Sequence, residues 1–217
     1  MQHKINKAFG EALRRAVVVP VLTIEDAETG VELTRALERG GLNVIEITLR
    51  TPAAIDVIGR IKADVPGVNV GAGTVLHPDD AAKAIDAGAQ FIVSPGMTPS
   101  LLEAARDWPV PFLPGAATAS EAMALADLGY RVLKFFPAAA AGGSAYLKAL
   151  SAPLPGIVFC PTGGIDASNA PDYLALPNVA AVGGSWVAPA KEVASRDWLA
   201  VTALAHQAAG LRSKAKD

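Results

Sequence analysis

Eight short apolar runs, each followed by a longer stretch with helical spacing, carry the chain from one end to the other. The runs are residues 17–23, 43–49, 69–74, 91–94, 111–113, 131–136, 157–160 and 179–182. Their starts recur roughly every 20–26 residues, the length of one strand–helix unit. Between them, residues 25–39 place Val31, Leu33, Ala36 and Leu37 on a common helical face, and residues 79–87, 98–106, 119–128 and 167–174 read likewise. Gly40, Gly41, Gly88 and Gly129 follow these stretches, where a helix commonly ends in a left-handed residue. Eight such units joined by right-handed crossovers close into a (β/α)8 TIM barrel. The expectation is therefore an α/β chain forming one domain over residues 1–217, with an extra N-terminal helix (1–15) over the barrel bottom and a closing helix at 198–211. A doubly wound open sheet is the rival, but Val19-Pro20-Val21 occupies the first strand and no Gly-x-Gly-x-x-Gly follows it, so a dinucleotide site has no support.

Composition narrows the function classes. At 51% hydrophobic and 18% charged, the 217 residues are too apolar for disorder and suffice for a large core. A net charge of −2 gives no basic field for nucleic acid or an anionic membrane surface. Residues 173–190 form the longest uncharged stretch, but Pro177, Asn178, Gly183, Gly184 and Pro189 interrupt it as a spanning helix, so a cytoplasmic protein is expected. One cysteine, Cys160, and three scattered histidines make a thiolate or histidine metal site improbable, and neither metal nor cofactor is expected.

Polar residues stand where barrel strands want apolar ones. In Asn43-Val44-Ile45-Glu46-Ile47-Thr48-Leu49-Arg50, alternation puts Glu46, Thr48 and Arg50 on one face and the three aliphatics on the other. The aliphatic face meets the helices, so Glu46 and Arg50 point inward, toward the C-terminal mouth where barrel active sites form. A structural Glu46–Arg50 ion pair is the competing reading. In residues 131–137, Val132, Lys134 and Phe136 likewise face inward. Burial disfavours an ammonium ion, and an amine freed of its proton attacks carbonyls to form Schiff bases. A lysine merely neutralised by Glu46 is the alternative, and one carboxylate can do both.

Glycines mark the last two strand ends: Thr162-Gly163-Gly164-Ile165 after the seventh and Gly183-Gly184-Ser185 after the eighth. Loops at these two positions often hold phosphate through backbone N–H groups, which glycine lets a ligand approach closely. Gly71-Ala72-Gly73-Thr74 after the third strand offers another close approach, with the Thr74 hydroxyl available to a carboxylate. Cys160 reads as a small buried residue.

Taken in order, Glu46-Ile47-Thr48-Leu49-Arg50-Thr51, Val70-Gly71-Ala72-Gly73-Thr74-Val75, Ser94-Pro95-Gly96, Lys134-Phe135-Phe136-Pro137-Ala138 and Cys160-Pro161-Thr162-Gly163-Gly164 resemble the class I KHG/KDPG aldolase family. The resemblance spans nearly the whole chain. It departs at Ala139, where members often carry an acidic residue, which bears on loop packing or substrate preference. The resemblance implies a (β/α)8 homotrimer that cleaves 2-dehydro-3-deoxy-6-phosphogluconate into pyruvate and glyceraldehyde 3-phosphate, the last step of the Entner–Doudoroff route, with 4-hydroxy-2-oxoglutarate as a further substrate. It implies Lys134 as the Schiff-base lysine and Glu46 as the general acid/base. Arg50 and Thr74 would bind the pyruvate carboxylate, Gly163, Gly164, Gly184 and Ser185 would surround the phosphate, and Phe136 and Pro95 would line the pocket. The alternatives are a 2-keto-3-deoxy-6-phosphogalactonate aldolase and a non-catalytic barrel that binds a phosphorylated small molecule.

Overall fold

The computed structural model describes residues 2–211. Its elements alternate as the repeat requires. Helix α1 (Gln2–Ala16) precedes β1 (Val18–Leu22), α2 (Ala27–Arg39), β2 (Val44–Thr48), α3 (Ala54–Asp64), β3 (Asn69–Gly73), α4 (Pro78–Asp86), β4 (Ile92–Val93) and α5 (Pro99–Ala104). Then come β5 (Phe112–Leu113), β6 (Gly115–Ala116), α6 (Ala119–Asp127), β7 (Val132–Phe135), α7 (Gly143–Leu150), β8 (Val158–Pro161), α8 (Ala170–Leu174), β9 (Val182–Gly184), α9 (Ala190–Ala194) and α10 (Trp198–Ala209). Residue 1 of the expected leading helix lies outside the described residues.

Every strand pairing is parallel, in two sheets ordered β5-β4-β3-β2-β1-β9 and β6-β7-β8. This is an α/β fold whose parallel sheet curls into a half-barrel. The expected fifth strand, 111–113, contains β5; after Pro114, which has no N–H for a ladder, the chain continues as β6 in the other sheet. Single parallel bridges, Phe159 to Val179 and Thr162 to Gly183, link β8 to the β9 side. The expected eighth strand at 179–182 slides toward its C-terminus: the ladder takes Val182, Gly183 and Gly184 opposite Val18, Val19 and Pro20. Two glycines assigned to a loop therefore belong to the sheet.

Local chemistry sets the helix starts. Asp26, Thr98, Thr118 and Asp197 each accept a hydrogen bond from a first-turn N–H. Thr118 and Glu121 complete a reciprocal capping box, and the N–H groups aimed at Glu121 hold its carboxyl below the usual carboxylate range.

The alternation read from the strands sorts the core into two clusters. Ile45, Ile47, Val70, Ala72, Leu133 and Phe135 pack outward with the helices. Val19, Val44, Val93, Leu113, Val132 and Cys160 pack inward, where Phe9, Leu13 and Ala16 of α1 join them. The Phe9 and Phe91 rings lie 4.9 Å apart. Each large side chain so buried contributes about 1.5–3 kcal/mol. The N-terminal end of the interior is filled with hydrocarbon, which leaves polar side chains to the other end. Among the described residues no helix is long and apolar enough to cross a membrane.

Candidate active site

The polar inward positions converge at the C-terminal ends of the strands. Glu46 lies in the middle of β2 and Lys134 in β7, with side chains 4% and 6% exposed. Lys134 Nζ donates to Glu46 Oε1 at 3.0 Å and contacts Oε2 at 3.4 Å. This, and not the Glu46–Arg50 alternative, is the ion pair that forms. Lys134 Nζ also stands 5.6 Å from the centre of the Phe136 ring. An amine and a carboxylate at this distance, shielded from water, are placed to exchange a proton directly.

Arg50 lies two residues beyond β2, exposed at the rim, and its Nε donates to Thr74 Oγ1 at 3.1 Å. Thr74 holds φ +56, a left-handed conformation that a β-branched residue adopts only under constraint. The bend turns its hydroxyl to Arg50, which it meets at Nε.

A cavity of about 230 Å³ opens on this rim, lined by Val21, Thr23, Arg50, Phe136, Thr162, Gly163, Gly164, Ile165, Gly184 and Ser185. Six of the expected site residues thus share one wall. Gly163 and Gly164 hold φ +101 and +72, which requires glycine at both. Gly164 also abuts Ala139, so the departure from the family pattern touches the glycine loop directly. Glu46, Thr74, Pro95 and Lys134 are not among its lining residues; the Pro95 carbonyl packs against Gly115, the register partner of Lys134.

Four lining residues, the apolar Val21 and Ile165 and the polar Thr23 and Thr162, are not among the expected set; the two threonines add hydroxyls to the lining. Period-two alternation finds both. Val19 faces inward in β1, so Val21 and Thr23 follow; Cys160 faces inward in β8, so Thr162 follows. Thr23 Oγ1 contacts Thr48 Oγ1 at 2.9 Å, and the Thr48 hydroxyl donates to the Leu22 carbonyl at 3.1 Å, which ties β1 to β2 beneath the rim. Cys160, opposite Lys134 in the ladder, is buried, and burial pushes its thiol up to about 12, so it stays a protonated core residue. No cluster of three or more His, Cys, Asp or Glu suited to a metal ion occurs among the described residues.

Known proteins match this arrangement closely. The aldolase family described as KDPG and KHG aldolase matches residues 9–204. The 2-dehydro-3-deoxy-phosphogluconate aldolase of Pseudoalteromonas atlantica (strain T6c / ATCC BAA-1087) is 49% identical over 88% of this chain and 89% of its own. The KHG/KDPG aldolase of Escherichia coli (strain K12) is 47% identical over 88% of this chain and 90% of its own. A crystal structure of KDPG aldolase from Legionella pneumophila, with pyruvate captured at low pH as a covalent carbinolamine intermediate, superposes with a TM-score of 0.88 at 44% identity over 91% of this chain and 96% of that one. The buried lysine–carboxylate pair, the glycine loops and these likenesses together place the chain in the KDPG and KHG aldolase family.

Proposed function

We propose that the chain is a class I aldolase that cleaves 2-dehydro-3-deoxy-6-phosphogluconate to pyruvate and glyceraldehyde 3-phosphate, with 4-hydroxy-2-oxoglutarate as a second substrate. The observation that carries this reading is the buried Lys134–Glu46 pair at 3.0 Å beside a rim of arginine and glycines. The names of the relatives supply the substrate: phosphogluconate-type in one and the dual KHG/KDPG activity in another. The chemistry needs no further group. Lys134 passes its proton to Glu46, and Nζ attacks the C2 ketone to give a carbinolamine. Glu46 returns a proton to the departing hydroxyl, water leaves, and an iminium remains. The C3–C4 bond then breaks, its electron pair flows into the iminium, and Glu46 takes the C4 hydroxyl proton as the aldehyde forms. Protonation of the enamine at C3 and addition of water release pyruvate and the free amine. Such proton transfers by a positioned side chain are worth about 10²–10⁴-fold in rate. The pyruvate carbinolamine captured in the Legionella enzyme corresponds to the last intermediate of this sequence, formed when water adds to the pyruvate iminium.

In this reading Arg50 and Thr74 hold the carboxylate next to the ketone, and Gly163, Gly164, Gly184 and Ser185 hold the distal phosphate. Phe136 packs beside the reacting carbons, and Pro95 supports the wall behind Lys134. Arg50→Lys keeps the charge but loses the planar fork. Its KM for pyruvate in the condensation direction is expected to rise about tenfold, in line with the ~1.5–3 kcal/mol of hydrogen bonds to charged groups. An unchanged KM would assign Arg50 a purely structural part. Ser185→Ala removes one neutral donor and leaves the backbone donors in place, so KM for the phosphorylated substrate should rise about 2–13-fold, or ~0.5–1.5 kcal/mol. The unphosphorylated substrate should be unaffected; equal effects on both would move the phosphate elsewhere.

The eight-stranded closed barrel is the architecture we assign around this site. Counting β5 and β6 as one strand broken at Pro114 gives eight, and the Thr162–Gly183 bridge joins the remaining gap beside the site. In this arrangement α1 is the extra N-terminal helix that plugs the bottom, and residues 1–217 are one domain. We further assign a homotrimer, on the family resemblance, with exposed Leu76, Met123, Leu128 and Leu199 as apolar surface. The buried free thiol of Cys160 fits a reducing cytoplasm. An assay of pyruvate release tests the function: rapid release from 2-dehydro-3-deoxy-6-phosphogluconate is expected, whereas a preference for the galactonate epimer, or no release, would overturn it.

A further inference from the structure

Gly73 ends β3 in a backbone conformation outside the left-handed region, one that any residue adopts. Glycine is not needed there for the turn. It is needed for room: a Cβ on Gly73 would fall inside the contact radii of Glu46 Oε1, Cδ and Cγ. Two residues earlier on the same inward face, a Cβ on Gly71 would overlap the Phe91 ring. Strand β3 thus contributes two vacancies to the interior, one filled by an aromatic ring and the other by a carboxylate.

The backbone around Gly73 has little freedom to yield. Gly73 pairs in register with Thr48, and its carbonyl accepts the Leu49 N–H at 2.8 Å. Glu46, from the same neighbouring strand, is enclosed at 3% exposure with Lys134 on its other side. A methyl at position 73 must therefore be met by movement of the carboxylate, away from the place where Lys134 Nζ finds it.

We propose that Gly73 is a positioning residue for the aldol reaction: the missing side chain seats the Glu46 carboxylate against Lys134 Nζ. This rests on the assignment of Lys134 and Glu46 above. It makes no contact with substrate of its own, so its loss acts on the proton-transfer steps and leaves carboxylate and phosphate binding alone.

The test is a double-mutant cycle of Gly73→Ala with Glu46→Ala, read by melting temperature, by kcat and KM, and by the rate at which borohydride traps pyruvate on the protein. Gly73→Ala should lower kcat about 100-fold, within the range of a lost proton shuttle, and leave KM within about threefold. It should also lower the melting temperature in the Glu46 protein. In the Glu46→Ala protein, where the overlapping atoms are gone, the same change should leave both the melting temperature and the trapping rate unaltered. If Gly73→Ala alone does not fold, folding of the double variant supports the same claim, because the overlap is then the cause. An equal loss of melting temperature in both backgrounds, or a kcat near wild type for Gly73→Ala, overturns it. A wild-type protein that traps no pyruvate overturns the aldolase assignment instead, while the melting-temperature coupling still reads Gly73 against Glu46.

Discussion

Lys134→Ala is expected to show no cleavage above the uncatalysed background and no covalent pyruvate adduct, because the amine that becomes the iminium nitrogen is gone. The cavity lining contains no lysine among the described residues, and Lys134 stands just behind its Phe136 wall, so no other amine takes its place. The same change leaves Glu46 buried without its partner, and breaking a buried pair from one side costs about 3–5 kcal/mol. Loss of activity must therefore be separated from loss of fold. Lys134→Arg does so: the guanidinium keeps a positive charge beside Glu46 but does not give up its proton, so it cannot attack a ketone. A folded, inactive Lys134→Arg protein assigns the loss to the missing nucleophile. Activity in either variant would remove Lys134 from the chemistry.

Glu46→Gln should cut kcat by about 10²–10⁴-fold, the usual contribution of a positioned acid–base group. The carboxamide keeps the shape of the side chain and still lies beside Lys134, but it carries no proton between carbinolamine, C4 hydroxyl and solvent. Slow trapping of pyruvate on long incubation should persist, since the amine remains. Removing the carboxylate also removes a negative charge from beside the amine, so the two proteins are to be compared over a range of pH. Undiminished kcat in Glu46→Gln would leave the carboxylate a structural counter-ion.

How far the sequence reaches is seen strand by strand. Six of the eight apolar runs contain the observed strand they forecast, because parallel strands covered by helices must be apolar throughout. The fifth run captures β5 and stops at Pro114, before β6, since a two-residue strand of Gly115 and Ala116 carries no strand propensity. The eighth run misplaces β9 for a similar reason: Val179-Ala180-Ala181 is the more apolar text, while the ladder uses the glycines after it. Helix α9 has no buried residue and so no apolar stripe to read.

At the site, alternation identified the inward faces of β2 and β7, and both key side chains lie there. It did not choose the partner. Glu46 and Lys134 are 88 positions apart, and only the closing of the sheet decides that lysine, and not Arg50 four residues away, meets the carboxylate. Arg50 lies past the end of the ladder, where period two no longer holds, and its direction comes from the turn and from the bent Thr74 backbone.

The central claim is that Lys134 forms a Schiff base with pyruvate. Borohydride added to the protein with pyruvate, followed by peptide mass spectrometry, tests it most directly, because reduction fixes the iminium as a stable secondary amine. The account predicts inactivation with a single pyruvate-derived mass increment on the peptide carrying Lys134, and no increment when pyruvate or borohydride is omitted. An increment on a different lysine, or full activity after treatment with both reagents, would contradict it.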